Sequence, residues 1–123
     1  YVGRGVPARK FLAGIPFFGE RFDGAESLNQ TLTDRTGGAM DYRAIAPLVG
    51  NGWTQQRDMA AGEMPYLTRD GATGIIVYDD SQSVRAKCRY VADQGIGGVI
   101  VWRLGQDVID GAQPLFRAVA NCK

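Results

Sequence analysis

Carboxylates and aromatic rings carry most of the reactive potential of this 123-residue chain. Paired carboxylates can give and take protons, and the closest acidic clusters are Asp79-Asp80 and Asp107-x-x-Asp110. Asp79 and Asp80, with Ser81, stand just before an apolar periodic segment, where side-chain oxygens accept from the free N–H groups of a first helical turn. Capping is their simpler role, and Asp107 and Asp110 read as loop or cap residues after a strand. The chain contains no histidine, so histidine-dependent triads and metal sites are excluded. Neither the spacing nor the companions of the two cysteines suggest a metal. We assign no catalytic residue, no metal ligand and no cofactor. Trp102 is the aromatic best placed for binding. Val99, Ile100, Val101, Trp102 and Leu104 are interrupted only by Arg103, as expected of a parallel strand covered on both faces. Ligands meet the carboxyl ends of such strands, which is where the indole lies.

The elements that must position Trp102 follow from periodicity. A helix begins after Asp80 and stops at Gly95, with Val84, Cys88 and Val91 as its buried stripe and Arg85, Lys87 and Arg89 toward solvent. Arg89 and Asp93 form an expected i, i+4 pair, contributing about 0.2–0.5 kcal/mol. Helix followed by strand is half of a βαβ unit. Upstream, Lys10 to Phe18 reads as a strand with Pro16 near its end, and residues 20–40 read mostly as loop, given Gly24, Gly37 and Gly38. Tyr42 to Val49 makes two helical turns. Trp53 to Met59, Glu63 to Thr68 and Thr73 to Val77 form an antiparallel meander. Pro114 opens a last helix that buries Leu115, Ala118, Val119 and Cys122. With 45% hydrophobic residues and a formal charge of +1, the composition is that of a soluble globular protein with no nucleic-acid footprint. No transmembrane run or secretory leader is visible, so no membrane partner is expected.

Two stretches carry a family resemblance. Tyr78 to Asp107, YDDSQSVRAKCRYVADQGIGGVIVWRLGQD, resembles the C-terminal end of glycoside hydrolase family 18 chitinases, where a strand ending in Trp closes a (β/α)8 barrel. Gly5 to Gly19, GVPARKFLAGIPFFG, is similar to the seventh barrel strand of that family, commonly written GVPxxKLxLGxPFYGR. Between them Tyr42, Trp53, Met64-Pro65-Tyr66 and Tyr78-Asp79-Asp80 follow the order of the small α+β insertion many of these chitinases carry. The resemblance implies an α/β fold: the C-terminal part of a TIM barrel, strands 7 and 8 with their helices, interrupted by an α+β insertion domain. It divides the chain into a strand 7 segment at residues 1–19, the insertion at 20–77, and helix 7, strand 8 and helix 8 at 78–123. In that frame Cys88 and Cys122 lie in neighbouring helices. A bridge is conceivable, and two buried thiols are the simpler reading.

The resemblance also implies function. Family chitinases hydrolyse β-1,4-linked N-acetylglucosamine polymers by a retaining mechanism in which the substrate's own N-acetyl carbonyl attacks the anomeric carbon. Their acid ends an Asp-x-x-Asp-x-Asp-x-Glu motif on the fourth strand, and that motif does not occur in this sequence. What carries over is binding. Trp102 matches the floor of the subsite holding the sugar to be cleaved. Phe18 stands where the family has Tyr, keeping the aromatic wall without its hydroxyl. Glu20 replaces an Arg, and Arg21 beside it either takes over part of that role or neutralises it. Tyr42 and Trp53 belong to the insertion, as cleft wall or as its own core, with core favoured for Trp53.

A complete barrel needs about 250 residues, and this chain starts at Tyr1 without an initiator Met. The expectation is a piece of a larger secreted, chitin- or chito-oligosaccharide-binding protein. A non-catalytic, lectin-like relative is the alternative, favoured slightly by Phe18 and Glu20. The edges of two parallel strands cut from a barrel would invite self-association.

Overall fold

The computed structural model describes residues 2–33 and 36–122. Its strands form two sheets. The first is a parallel pair, β1 (Ala13–Pro16) and β7 (Val99–Trp102), in register from Ala13↔Val99 to Pro16↔Trp102. Successive side chains of a strand point to opposite faces, so Ile15, Val99 and Val101 turn one way. There they meet α2 (Ser81–Asp93) and α3 (Pro114–Ala120), in a core of Ile15, Phe17, Val84, Cys88, Leu115 and Ala118. The other face is open. Ile100 is 54% and Trp102 67% exposed, so β7 is not covered on both faces as its apolar run suggests. α2 and α3 pack on the same side.

The helix ends hold the expected chemistry with one exchange of roles. Asp80 caps α2, accepting from the Gln82 and Ser83 amides while its own N–H donates to Ser83 Oγ. Asp79 is not a cap. It is buried, accepting from Ser83 Oγ at 2.8 Å and from Lys87 Nζ at 2.5 Å. Lys87 therefore reaches back along its helix rather than into solvent, because a buried carboxylate requires a partner. Arg89 pairs with Glu63 at 2.6 Å instead of with Asp93. Gly95 ends the helix in the left-handed conformation, at φ 61°.

The second sheet is antiparallel throughout, in the order β3-β2-β6-β5-β4. Its strands are β2 (Phe18–Phe22), β3 (Gly37–Asp41), β4 (Trp53–Asp58), β5 (Met64–Arg69) and β6 (Ile75–Val77). One expectation is narrowed here and another corrected. Residues 20–40 are mostly loop, 23–33 and 36 lying outside any strand, but the two ends of the segment pair as β2 and β3, from Phe18↔Asp41 to Phe22↔Gly37. Gly37, which reads as a turn residue, is what permits the approach: at φ 132° its added Cβ would lie 1.9 Å from the Arg21 carbonyl oxygen. Lys10 to Phe18 is not one strand. Ala8–Lys10 is a 3₁₀ turn, and Phe18 already belongs to the other sheet. Helix α1 (Tyr42–Ile45) continues as a 3₁₀ turn over Ala46–Leu48. A second core of Ile45, Leu67, Ile76 and Tyr78 lies beneath it, with Met40, Tyr42, Leu48 and Trp53 at its margin.

Two cross-links fasten the pieces. Cys88 and Cys122 form a disulfide across 34 residues, their Cα atoms 5.3 Å apart, so the reading as free thiols is corrected. Contact between α2 and α3 puts the cysteines face to face. Reduction, or the Cys88→Ser/Cys122→Ser pair, is expected to lower stability by about 2–4 kcal/mol in urea titrations.

The second cross-link joins Arg57 of β4 to Asp80 at 2.5 Å. Burial pushes the Asp80 carboxyl up, but the Arg57 hydrogen bond and the Ser83 and Gln82 amides outweigh it and hold it below its ordinary value of 3.8. A carboxyl lowered in the folded state stabilises above its unfolded pKa, and that contribution disappears as pH falls through the native value. The loss of stability of the parent protein between pH 5 and pH 2, about the carboxylate range, is therefore expected to be shallower in Asp80→Asn, as urea midpoints across that range will show.

Candidate functional site

Trp102 ends β7 on the open face of the parallel pair, in register with Pro16. Its carbonyl accepts from Phe17 N–H at 2.7 Å, which pins the strand end, and the following peptide bond to Arg103 is cis. The indole is left bare. Gly14, opposite Ile100 in the register, has nothing within 4 Å of where a Cβ would be, so the surface beside the ring is low and accessible.

Phe18 begins β2 two residues beyond Pro16. With Glu20 and Phe22 it occupies one face of the antiparallel sheet, and Asp41 is its cross-strand partner. Phe18, Glu20 and Asp41 are all half-buried. Arg21 points to the opposite face and pairs with Asp23 at 3.1 Å, so it neither neutralises Glu20 nor takes its place. Charge at position 20 stands on a paired strand rather than on a loop rim.

Tyr42 and Trp53 lie elsewhere. Tyr42 packs against both cores, its ring centroid 6.3 Å from that of Tyr78. That puts it on the helix-covered side of β7, opposite Trp102. Its hydroxyl is pushed above the ordinary tyrosine range by burial and then by the negative charges of Asp80 and Asp107, and burial raises Tyr78 to about 12. Trp53 packs at the margin of the second core with the Arg69 guanidinium 5.9 Å from its ring centre.

The turn after Trp102 holds Gln106, which sequence reasoning did not single out, and Asp107, which it read as a loop or cap residue. Gln106 Nε2 donates to Asp41 Oδ1 at 2.7 Å, its Oε1 accepts from Arg103 N–H at 2.9 Å, and its carbonyl accepts from Arg43 N–H at 2.9 Å. Arg43 also pairs with Asp41 at 2.9 Å. No local pattern announces a contact across 65 residues. Asp107 is completely buried and accepts from Phe116 N–H at 2.9 Å, capping α3 in place of Gln113, which makes no side-chain cap. A depression of about 440 Å³ lies away from Trp102, between the loop at Leu28–Gln30 and a floor of Phe22, Met64 and Val77. Among the described residues no group of three metal-binding side chains exists.

The chain was compared with known proteins. A family model described as Glycosyl hydrolases family 18 matches residues 1–107. Chitinase A1 of Niallia circulans is 32% identical over 119 residues, covering 87% of this chain and 17% of that protein. A family 18 N-acetylglucosaminidase from Paenibacillus barengoltzii superposes with a TM-score of 0.85 at 30% identity, over 99% of this chain and 36% of its own. A family 18 chitinase from Cycas revoluta, solved with (GlcNAc)4, gives 0.77 at 25% identity, over 98% of this chain and 35% of its own. The chain thus spans well under half the length of these relatives. The parallel pair β1 and β7 is part of a (β/α)8 barrel, and the antiparallel sheet is consistent with an α+β insertion between them.

Proposed function

Because this chain belongs to the glycosyl hydrolases of family 18, we propose that it is the C-terminal portion of a chitinase-like glycosidase and that it binds β-1,4-linked N-acetylglucosamine chains on Trp102. One observation carries this: an indole at the carboxyl end of a parallel strand, on the face turned away from α2 and α3. A large aromatic ring left in water is costly, and the C–H face of a pyranose covers it without displacing any hydrogen bond. Phe18 supplies a second aromatic surface. Glu20 accepts from sugar hydroxyls. The packing of Tyr42 and Trp53 supports a core role over a place in the cleft wall.

Cleavage by the whole protein, in this reading, is retaining and substrate-assisted, with the proton donor supplied by residues outside this sequence. Glycoside departure requires a protonated carboxyl group, and three of the four carboxylates in the two acidic clusters are engaged otherwise: Asp79 with Lys87, Asp80 with Arg57, Asp107 with the α3 amide. We retain the division into barrel segments at 1–19 and 78–123 around an insertion at 20–77. The Cys88–Cys122 bridge supports an oxidising, extracellular setting. Exposed Leu12, Ile100 and Leu104, with the free edges of β1 and β7, are covered by further barrel strands in the whole protein, and by self-association if the chain stands alone.

A lectin-like relative that binds without cleaving is the second reading, favoured by Phe18 and Glu20 where the family pattern has Tyr and Arg. Calorimetric titration of the whole protein with chito-oligosaccharides tests the platform. Trp102→Ala should weaken binding about tenfold or more, the loss expected from uncovering the ring, while Trp53→Phe should leave affinity unchanged. Equal affinities for the parent protein and Trp102→Ala would contradict the proposal. Product analysis by NMR separates the two readings: first-formed β-anomer marks a retaining hydrolase, and binding without turnover marks the lectin.

A further inference from the structure

We propose that Gln106 is a positioning residue for the Trp102 platform, a strut holding the chain beyond the indole against the start of α1; the inference rests on the reading of Trp102 as a sugar platform. Both ends of the Gln106 carboxamide are used. Its Oε1 accepts from the N–H of Arg103, immediately after Trp102, at 2.9 Å, and its Nε2 donates to the carboxylate of Asp41, immediately before Tyr42, at 2.7 Å. The backbone carbonyl of the same residue takes the Arg43 N–H at 2.9 Å. Asp41 is in turn held by the Arg43 guanidinium at 2.9 Å. One residue thereby grips the entry to α1 at two points and the exit of β7 at a third.

The geometry makes this grip bear on the ring. Among the described residues no hydrogen bond holds the Trp102 indole, so its orientation depends on the backbone that carries it. Phe17 N–H holds the carbonyl end of the Trp102–Arg103 peptide, and Gln106 Oε1 holds the N–H end of that same peptide. Within the turn itself the supporting backbone bond, Gln106 N–H to the Arg103 carbonyl, is long at 3.4 Å. Asp41 is also the cross-strand partner of Phe18, so the strut sets the position of the indole relative to the Phe18 end of β2. Hydrogen bonds to a charged acceptor are the stronger kind, and a platform held before the ligand arrives binds without the cost of ordering it.

The test uses the whole protein labelled with 5-fluorotryptophan, the Trp102 resonance being assigned with Trp102→Phe and the Trp53 resonance with Trp53→Phe. Gln106→Leu keeps the size and removes both side-chain bonds. Gln106→Glu keeps the acceptor for Arg103 N–H and sets a carboxylate against Asp41. Combining Gln106→Glu with Asp41→Asn restores a donor and an acceptor with their roles reversed. Each single variant should shift or broaden the Trp102 line, leave the Trp53 line in place, and weaken binding of the N-acetylglucosamine trimer about tenfold, the worth of one charge-assisted bond. The double variant should return both readouts toward the parent values. An unmoved Trp102 line and unchanged affinity in Gln106→Leu, or a double variant no better than Gln106→Glu, would overturn the inference. A parent protein that ignores the trimer, while Gln106→Leu still moves the Trp102 line, would sink the sugar platform and leave the strut standing.

Discussion

Everything in this chain turns on the peptide of Phe17. Its N–H donates to the carbonyl of Trp102 at 2.7 Å, and its carbonyl accepts from Tyr42 N–H at 2.9 Å. One side of the residue thus belongs to the parallel pair and the other to the antiparallel sheet. Its ring is completely buried among Ile15, Val84 and Leu115. Removing such a ring from a packed core costs about 3–5 kcal/mol, comparable with the whole stability of a small domain. Fixing Phe17 therefore fixes how the end of β7 meets the beginning of β2, which is where Trp102 and Phe18 stand.

Besides the Tyr42 ring, which packs against both cores, polar connections between the two parts lie to either side of that pivot. On one side Arg57 reaches from β4 to Asp80 at the head of α2, and Gln55 donates to the Tyr78 hydroxyl at 2.8 Å. On the other side Gln106 reaches from the turn after β7 to Asp41. Apolar packing supplies two cores, and directional bonds set the angle between them, since burial alone is indifferent to orientation. An exposed aromatic platform relies on the directional kind of support, because among the described residues no hydrogen bond holds the indole and two-thirds of its surface is bare.

Much of this was legible in the residues. The α2–β7 unit was readable because Asp80, the Val84–Cys88–Val91 stripe and Gly95 each act within a few residues of where they stand. The C-terminal helix was readable from Pro114 for the same reason, and the place of Trp102 at the end of a strand from the length of one apolar run, though that run suggested cover on both faces rather than an open one. The misreadings share the opposite property. Gly37 and Gly38 have the composition of a turn, and only the approach of the Arg21 carbonyl reveals a strand. Asp79 looks like a cap until Lys87 and Ser83 close over it. Gln106 and Asp41 are ordinary surface residues until the fold places them 2.7 Å apart. The disulfide needed α2 and α3 side by side, and the open second face of β7 emerges only once both of those helices are placed on the other side.

Placement of a β-1,4-linked N-acetylglucosamine oligomer on the whole protein, by crystallography of the complex, bears most directly on the account. A sugar ring lying flat over the Trp102 indole, with Phe18 and Glu20 at its side, is the result the account predicts. An oligomer seated in the depression floored by Phe22 and Met64, with the indole still bare, would contradict it.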